Sequence, residues 1–420
     1  MTTPAIRWRE SDGNQPPSLP ALAAPAAPAQ LSGQTILCLA TQEWDAHWTP
    51  VQQVMLRLAP QNRVIYFEPF HPPFAWLKRR NHVLKQQRHQ GQPRLREVRP
   101  NLLVYSPSSR YLPFNMRSRL AHKVNSRSYE CEIRSLLRSL GAARPWLWAF
   151  FAQSPSVLNL PFEHFIYDCV DYWPAFFPNP VEQRFVQRVD EVLCRRADLV
   201  FVGSNPLRER QRQFNPNTFV VPHAADVAHF MKAAVPDLAV PSDLDAIPHP
   251  RIGFVGMIDS VRFDTDIIRR LAANPAHHVV LVGGVNGGGA SPLPDLPNVH
   301  WLGMKPIAEL PAYLKGMDVC VMPYRLNEAT RNIYPLKLHE YLATGKPVVS
   351  TAIDAVQSFR DLIYVADAAD GFAELVAQAL REKDEGLAQR RRASAQQHTW
   401  EAHVAIKSSL IRDHLSAREQ

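Results

Sequence analysis

Short apolar runs rich in β-branched and aromatic residues recur from about residue 31 onward, separated by longer stretches whose apolar positions fall three and four apart. That alternation predicts strands joined by crossover helices, and so parallel sheets. In the first half the predicted strands are TILCLA (35–40), RVIYFEP (63–69), LLVYSP (102–107), PWLWAFFA (145–152), HFIYDCVD (164–171), LVFVGS (199–204) and TFVVPH (218–223). Most are apolar on both faces, as strands between two helix layers must be. Residues 183–197 place Phe185, Val189, Val192 and Leu193 on one helical face and leave the charges for solvent.

The pattern breaks twice. Residues 1–30 are rich in Pro and Ala with no period, which predicts a disordered tail. Residues 226–250 carry four prolines and little periodicity, which predicts a linker. After it the rhythm restarts with RIGFVGMI (251–258), HVVLVGG (278–284), VHWLG (299–303), VCVMPYR (319–325), KPVVST (346–351) and IYVAD (363–367). The expected fold class is α/β, with two doubly wound Rossmann-like domains (31–225 and 251–396) facing across a cleft, and a last helix over 397–420 that can pack back on the first domain.

Composition narrows this picture. Apolar residues make up 46% and charged residues 20% of the 420 positions, enough to build cores. No apolar run is long enough to span a bilayer, and the first residues lack the pattern of a secretory signal, so a cytoplasmic location is expected. The five cysteines are scattered and not spaced as metal ligands, which fits a reducing compartment and no bound metal. The net charge of +8 is concentrated: residues 71–140 carry fifteen Lys and Arg against three Asp and Glu, leaving −4 for the rest. No nucleic-acid reading motif accompanies that charge, so nucleic acid is not expected as a partner.

The segment PYRLNEATRNIYPLKLHEYLATGKPVVST (323–351) carries the chemistry. It runs from a strand end through a polar loop into a helix that Tyr334-Pro335 opens, proline being suited to a first turn. Free N–H groups at a helix start and the positive end of its dipole attract phosphate. Lys337 adds a point charge, and Glu340, three residues on and on the same face, suits the two hydroxyls of a ribose. Together they specify a nucleotide diphosphate.

PLKLHEYLATGKPVVS resembles the nucleotide-binding segment of GT-B glycosyltransferases, particularly those of bacterial surface polysaccharide assembly (group 1, family 4-like). FVGMIDSVRFD, LVGG, VHWLGMKPIAELPAYLKGMDVCVMPY, TQEWDAHW, FIYDCVDYWPAF and RADLVFVGS follow in that family's order, so the resemblance covers about residues 31–415. It implies a glycosyltransferase that moves a sugar from a nucleotide diphosphate sugar to a saccharide or lipid-linked acceptor, with that donor as substrate and no cofactor. It implies that Glu340 binds the ribose, that Lys337 and the amides around Tyr334 hold the diphosphate, that Gly256 lets a loop approach it, and that Gly303, Met304 and Lys305 frame the base. Many retaining members place a second Glu eight residues before the ribose Glu. Here Asn332 stands at that position, with Glu328 four residues earlier, so the stereochemical outcome stays open.

Other positions draw attention by placement alone. Asp168 and Asp171 end the strand FIYDCVD, where a general base would stand, Asp171 being the stronger candidate. Trp44, Asp45 and His47 follow the first strand and suit an acceptor side; His223 reads as structural, and Gly287–Gly289 as a loop. Phe70, Phe74 and Trp76 beside Lys78, Arg79 and Arg80 suit an anionic membrane surface, reached through the basic 70–138 region. The rival readings are a nucleotide-sugar 2-epimerase of the same architecture and a non-catalytic protein that binds a membrane surface or polyanion.

Overall fold

A computed structural model of the chain describes residues 30–46, 48–70, 94–108, 111–285 and 295–419. Among them the chain divides into two compact units, one of residues up to Pro222 together with His403 onward, the other of His223–Ala402.

The first unit is built on a sheet ordered β3-β4-β2-β1-β5-β6-β7-β8. Its strands are β1 (Thr35–Leu39), β2 (Arg63–Phe67), β3 (Leu95–Arg99), β4 (Leu102–Tyr105), β5 (Trp146–Ala149), β6 (Phe165–Cys169), β7 (Leu199–Val202) and β8 (Thr218–Val220). All neighbours are parallel except β3, which runs antiparallel to β4. The strand periodicity missed β3 because LREVR is polar and only half-buried, as an edge strand can be. Leu37, Ile65, Leu147, Phe165 and Val200 pack against Ile133, Leu136, Val189 and Leu193 of the covering helices. The helix Pro180–Arg196 departs from expectation in one respect: Asp190 is buried, accepting from Tyr167 Oη and from Gln211 Nε2 at 2.7 Å. A buried carboxylate needs such donors. Burial still pushes its carboxyl above the usual range.

The second unit holds a fully parallel sheet ordered β11-β10-β9-β12-β13-β14. The strands are β9 (Arg251–Val255), β10 (His278–Val282), β11 (Val299–Gly303), β12 (Val319–Met322), β13 (Val348–Thr351) and β14 (Tyr364–Ala366). Winding proceeds outward from β9 in both directions, so the order reverses between β9 and β12. Ligands of such sheets bind outside the carboxyl ends of the strands at that reversal.

The stretch expected to be a linker, 226–250, is instead packed into the second unit as short helical turns. Val227, Phe230, Ala233, Leu244 and Ile247 are buried there. Its prolines bend the chain, and its carbonyls find donors: Lys315 Nζ binds the oxygens of Val235 and Leu238, and buried Arg251 binds those of Asp245 and Ile247. The last helix, Trp400–Glu419, starts in the second unit and continues in the first, where Val404, Ala405 and Ile411 are buried.

Candidate functional site

The carboxyl edge of the second sheet brings three glycines together. Gly256 follows β9, Gly283 follows β10, and Gly303 ends β11; the N–H of Gly256 binds Val282 O and that of Gly283 binds Gly303 O, each at 2.8 Å. Gly256 has φ +147°, and a Cβ there would lie 2.0 Å from Lys337 Cε and 2.3 Å from its Nζ. Gly283 has φ +141°, and its Cβ would strike Gly256 O at 2.0 Å. Only glycine fits positions that join a left-handed backbone to so close an approach.

Over this floor stands the helix Leu336–Thr344. Pro335 is its cap rather than its first residue, and Leu338, Tyr341 and Leu342 turn inward. Tyr341 Oη accepts from Val255 N at 2.8 Å, bolting the helix to the end of β9. The adjoining face carries Lys337 and Glu340, both half-buried. Neither makes a hydrogen bond or ion pair with the described residues, although Lys337 Nζ lies 5.4 Å from the Phe254 ring centre. Burial lowers the pKa of Lys337 and raises that of Glu340, and each partly offsets the other's shift. Chemically, two charges half-withdrawn from water and free of hydrogen bonds to the described residues can accept an anion at one and hydroxyl donors at the other.

Sequence reasoning missed three charges beside them. Arg262, in the loop after β9, bonds Asp259 at 2.7 Å, and both act electrostatically on Lys337. Asp226 acts likewise on Glu340. FVGMIDSVRFD contained Arg262, but only the fold shows that its loop returns to the site, held by Arg325 N to Arg262 O at 2.8 Å.

The remaining expected donor residues divide. Met304 is exposed, its sulfur beside Gly284, at the same strand edge as Gly303. Lys305 is already engaged: Nζ bonds Asp243 at 2.6 Å and lies over Tyr313, and these bonds raise its pKa. Asn332 is buried and donates to Glu328 O at 2.7 Å, while Glu328 is exposed. Tyr334 turns its side chain inward, where its hydroxyl meets His339 Nε2 at 2.9 Å. His339 in turn stacks on His398 at 4.0 Å, with His223 near Tyr334, so His223 joins a buried aromatic cluster.

In the first unit, Asp168 does not stand open as a base. It lies inside β6, 2% exposed, and Oδ2 accepts from Trp148 Nε1 at 3.2 Å and from Lys407 Nζ at 2.5 Å. Lys407 comes from the last helix, and burial lowers its pKa. Asp171 lies past the end of β6, half-buried, its carbonyl accepting from Trp173 N at 3.0 Å. Trp44 is buried, its backbone N–H donating to Glu68 Oε1 at 2.9 Å, and Asp45 pairs with Arg96 at 2.7 Å. Phe70 is also buried, stacked on Tyr111 at 3.9 Å, so it cannot be a surface anchor. His47, Phe74, Trp76, Lys78, Arg79, Arg80 and Gly287–Gly289 lie outside the described residues.

Comparison with known proteins agrees with the geometry. The profile of the family described as Glycosyl transferases group 1 matches residues 249–382, which hold Gly256, Lys337 and Glu340. The Bacillus subtilis protein TuaH, whose name ties it to teichuronic acid biosynthesis as a glycosyltransferase, is 27% identical over 242 residues. That match spans 53% of this chain and 59% of TuaH. Sucrose-phosphate synthase of Thermosynechococcus elongatus superposes with a TM-score of 0.66 at 17% identity, over 92% of this chain and 100% of that one. HepE of Anabaena, solved with UDP and glucose, superposes at 0.57 with 15% identity, over 91% and 100%. The chain therefore has the GT-B fold.

Proposed function

We propose that this chain is a glycosyltransferase: it moves a sugar from a nucleotide diphosphate sugar to a saccharide or lipid-linked acceptor in surface polysaccharide biosynthesis. The observation that carries the reading is the placement of Lys337 and Glu340, with no hydrogen bond or ion pair to the described residues, over a glycine floor at the strand reversal of the second sheet. Glu340 accepts from the two ribose hydroxyls. Lys337, Arg262 and the first N–H groups of the helix take the diphosphate. In the reaction an acceptor oxygen bonds to the anomeric carbon as the bond from that carbon to the diphosphate oxygen breaks. The charge left on the nucleoside diphosphate is what these cations stabilise.

The acceptor hydroxyl must lose its proton, and Asp171 is the base we assign, since Asp168 is held by Lys407 and Trp148. No cofactor enters this scheme. Gly303 and Met304 are left to frame the nucleotide's heterocycle, whereas Lys305 is committed to Asp243. The acceptor's lipid would bring the basic 70–138 region to the anionic inner face of the cell membrane, with the enzyme otherwise cytoplasmic.

UDP is the first nucleotide to try because HepE was solved with it. With a donor and acceptor in hand, Asp171→Asn keeps donor binding and lowers turnover by roughly 10²–10⁴-fold. Turnover near that of the wild type would remove Asp171 from the role.

A further inference from the structure

The helix Arg119–Ser139 in the first unit carries its charge in an unusual way. Its first turn has no acidic residue, although negative charge is what a helix N-terminus favours. Arg119, Lys123 and Arg127 follow one another at i, i+4 spacing, where like charges repel. All three are exposed, and none makes a hydrogen bond or ion pair with the described residues. Farther along, the pattern changes: Arg134 pairs with Glu130 at 2.9 Å. The three cations without a side-chain partner among the described residues thus lie in the first half of the helix, whereas Arg138 at its end reaches the Arg134 carbonyl at 3.4 Å.

Apolar side chains are exposed at the same place. Leu120 is 71% and Val124 43% exposed, on the arc of the helix that carries the three cations. Immediately before the helix, Phe114 is 64% and Leu112 42% exposed. The loop that holds them is fixed. Asn125, on the buried face of the helix, accepts from Leu112 N at 2.7 Å and donates to Leu112 O at 2.8 Å and to Asn115 Oδ1 at 3.2 Å. Phe114, at φ +63°, has its carbonyl held by the N–H groups of Arg117 and Ser118, each at 2.9 Å. A left-handed phenylalanine is costly backbone, and here it is held by bonds that leave the ring in solvent.

We propose that Leu112, Phe114, Leu120 and Val124, with the stripe of Arg119, Lys123 and Arg127 beside them, form a membrane-docking edge that inserts its apolar side chains among anionic lipids. The face fits a bilayer surface because it joins a small apolar tip to unpaired positive charge, the pair of features that interfacial helices use. It places membrane contact on residues other than Phe70, which is buried. This deepens the membrane part of the function proposed above and rests on that reading only for why the membrane matters.

The test is co-sedimentation with vesicles of phosphatidylcholine alone and of phosphatidylcholine mixed equally with phosphatidylglycerol, at low and high salt. Wild type should bind the anionic vesicles, more weakly in high salt, and leave the neutral ones alone. At roughly fivefold per cation, Arg119→Gln/Lys123→Gln/Arg127→Gln should weaken partitioning about a hundredfold. Phe114→Ser/Leu120→Ser should lose the binding that survives high salt. Both variants are checked by circular dichroism and by UDP titration, so a failure of docking is separable from a failure of the nucleotide site. Wild-type partitioning by both folded variants overturns the proposal. So does a heparin affinity that the charge variant loses without any vesicle binding, which would make the partner a polyanion, or a dimer that Phe114→Ser dissociates.

Discussion

At the residue scale, the site depends on an atom that is missing. Gly256→Ala would drive a Cβ into Lys337 and hold alanine at φ +147°. The variant should lose about 1–3 kcal/mol of stability from the strained backbone and bind nucleoside diphosphate more weakly, as denaturant melts and a titration would show. Wild-type affinity would mean that Lys337 does not need its present place. Which residues could be read in advance follows from sequence distance. The shared face of Lys337 and Glu340 was legible because a separation of three residues in a helix fixes it. Lys305 and Asp168 were misjudged because their partners come from afar: Asp243 is 62 residues from Lys305, and Lys407 is 239 residues from Asp168.

At the element scale, the buried strands were legible because apolar runs announce them, whereas the edge strand β3 was not, its residues being mostly polar and only half-buried. The last helix was legible as a helix, yet nothing local showed that it would place Lys407 on Asp168. That pair should matter to stability: both side chains are 2% exposed, and removing one partner strands the other charge. Lys407→Met should destabilise the first unit by about 3–5 kcal/mol, measured by chemical denaturation, and adding Asp168→Asn should recover part of it. A second element prediction concerns the helix Leu336–Thr344. His339, facing Tyr334, His398, His223 and Phe359, is held neutral because burial lowers its pKa well below the usual value. The unfolded chain takes up that proton near pH 6.5 or so. Stability from this group is therefore complete above about pH 6.5 and drains as pH falls toward the lowered value. Melting temperature should drop on acidification, and His339→Phe should flatten that drop; an unchanged slope would assign the acid sensitivity elsewhere.

At the scale of the whole molecule, the restart of the strand rhythm at residue 251 showed two doubly wound sheets, while the packing of 226–250 was hidden by its prolines. The account's central claim is that the second unit binds a nucleoside diphosphate through Lys337 and Glu340. Calorimetric titration of UDP and of uridine into wild type, Lys337→Ala and Glu340→Ala tests it most directly. Loss of charge-assisted bonds predicts that Glu340→Ala weakens both ligands by about 1–3 kcal/mol. Lys337→Ala should weaken UDP and spare uridine, because its charge meets only the phosphates. Two folded variants that bind UDP as tightly as wild type would contradict the account.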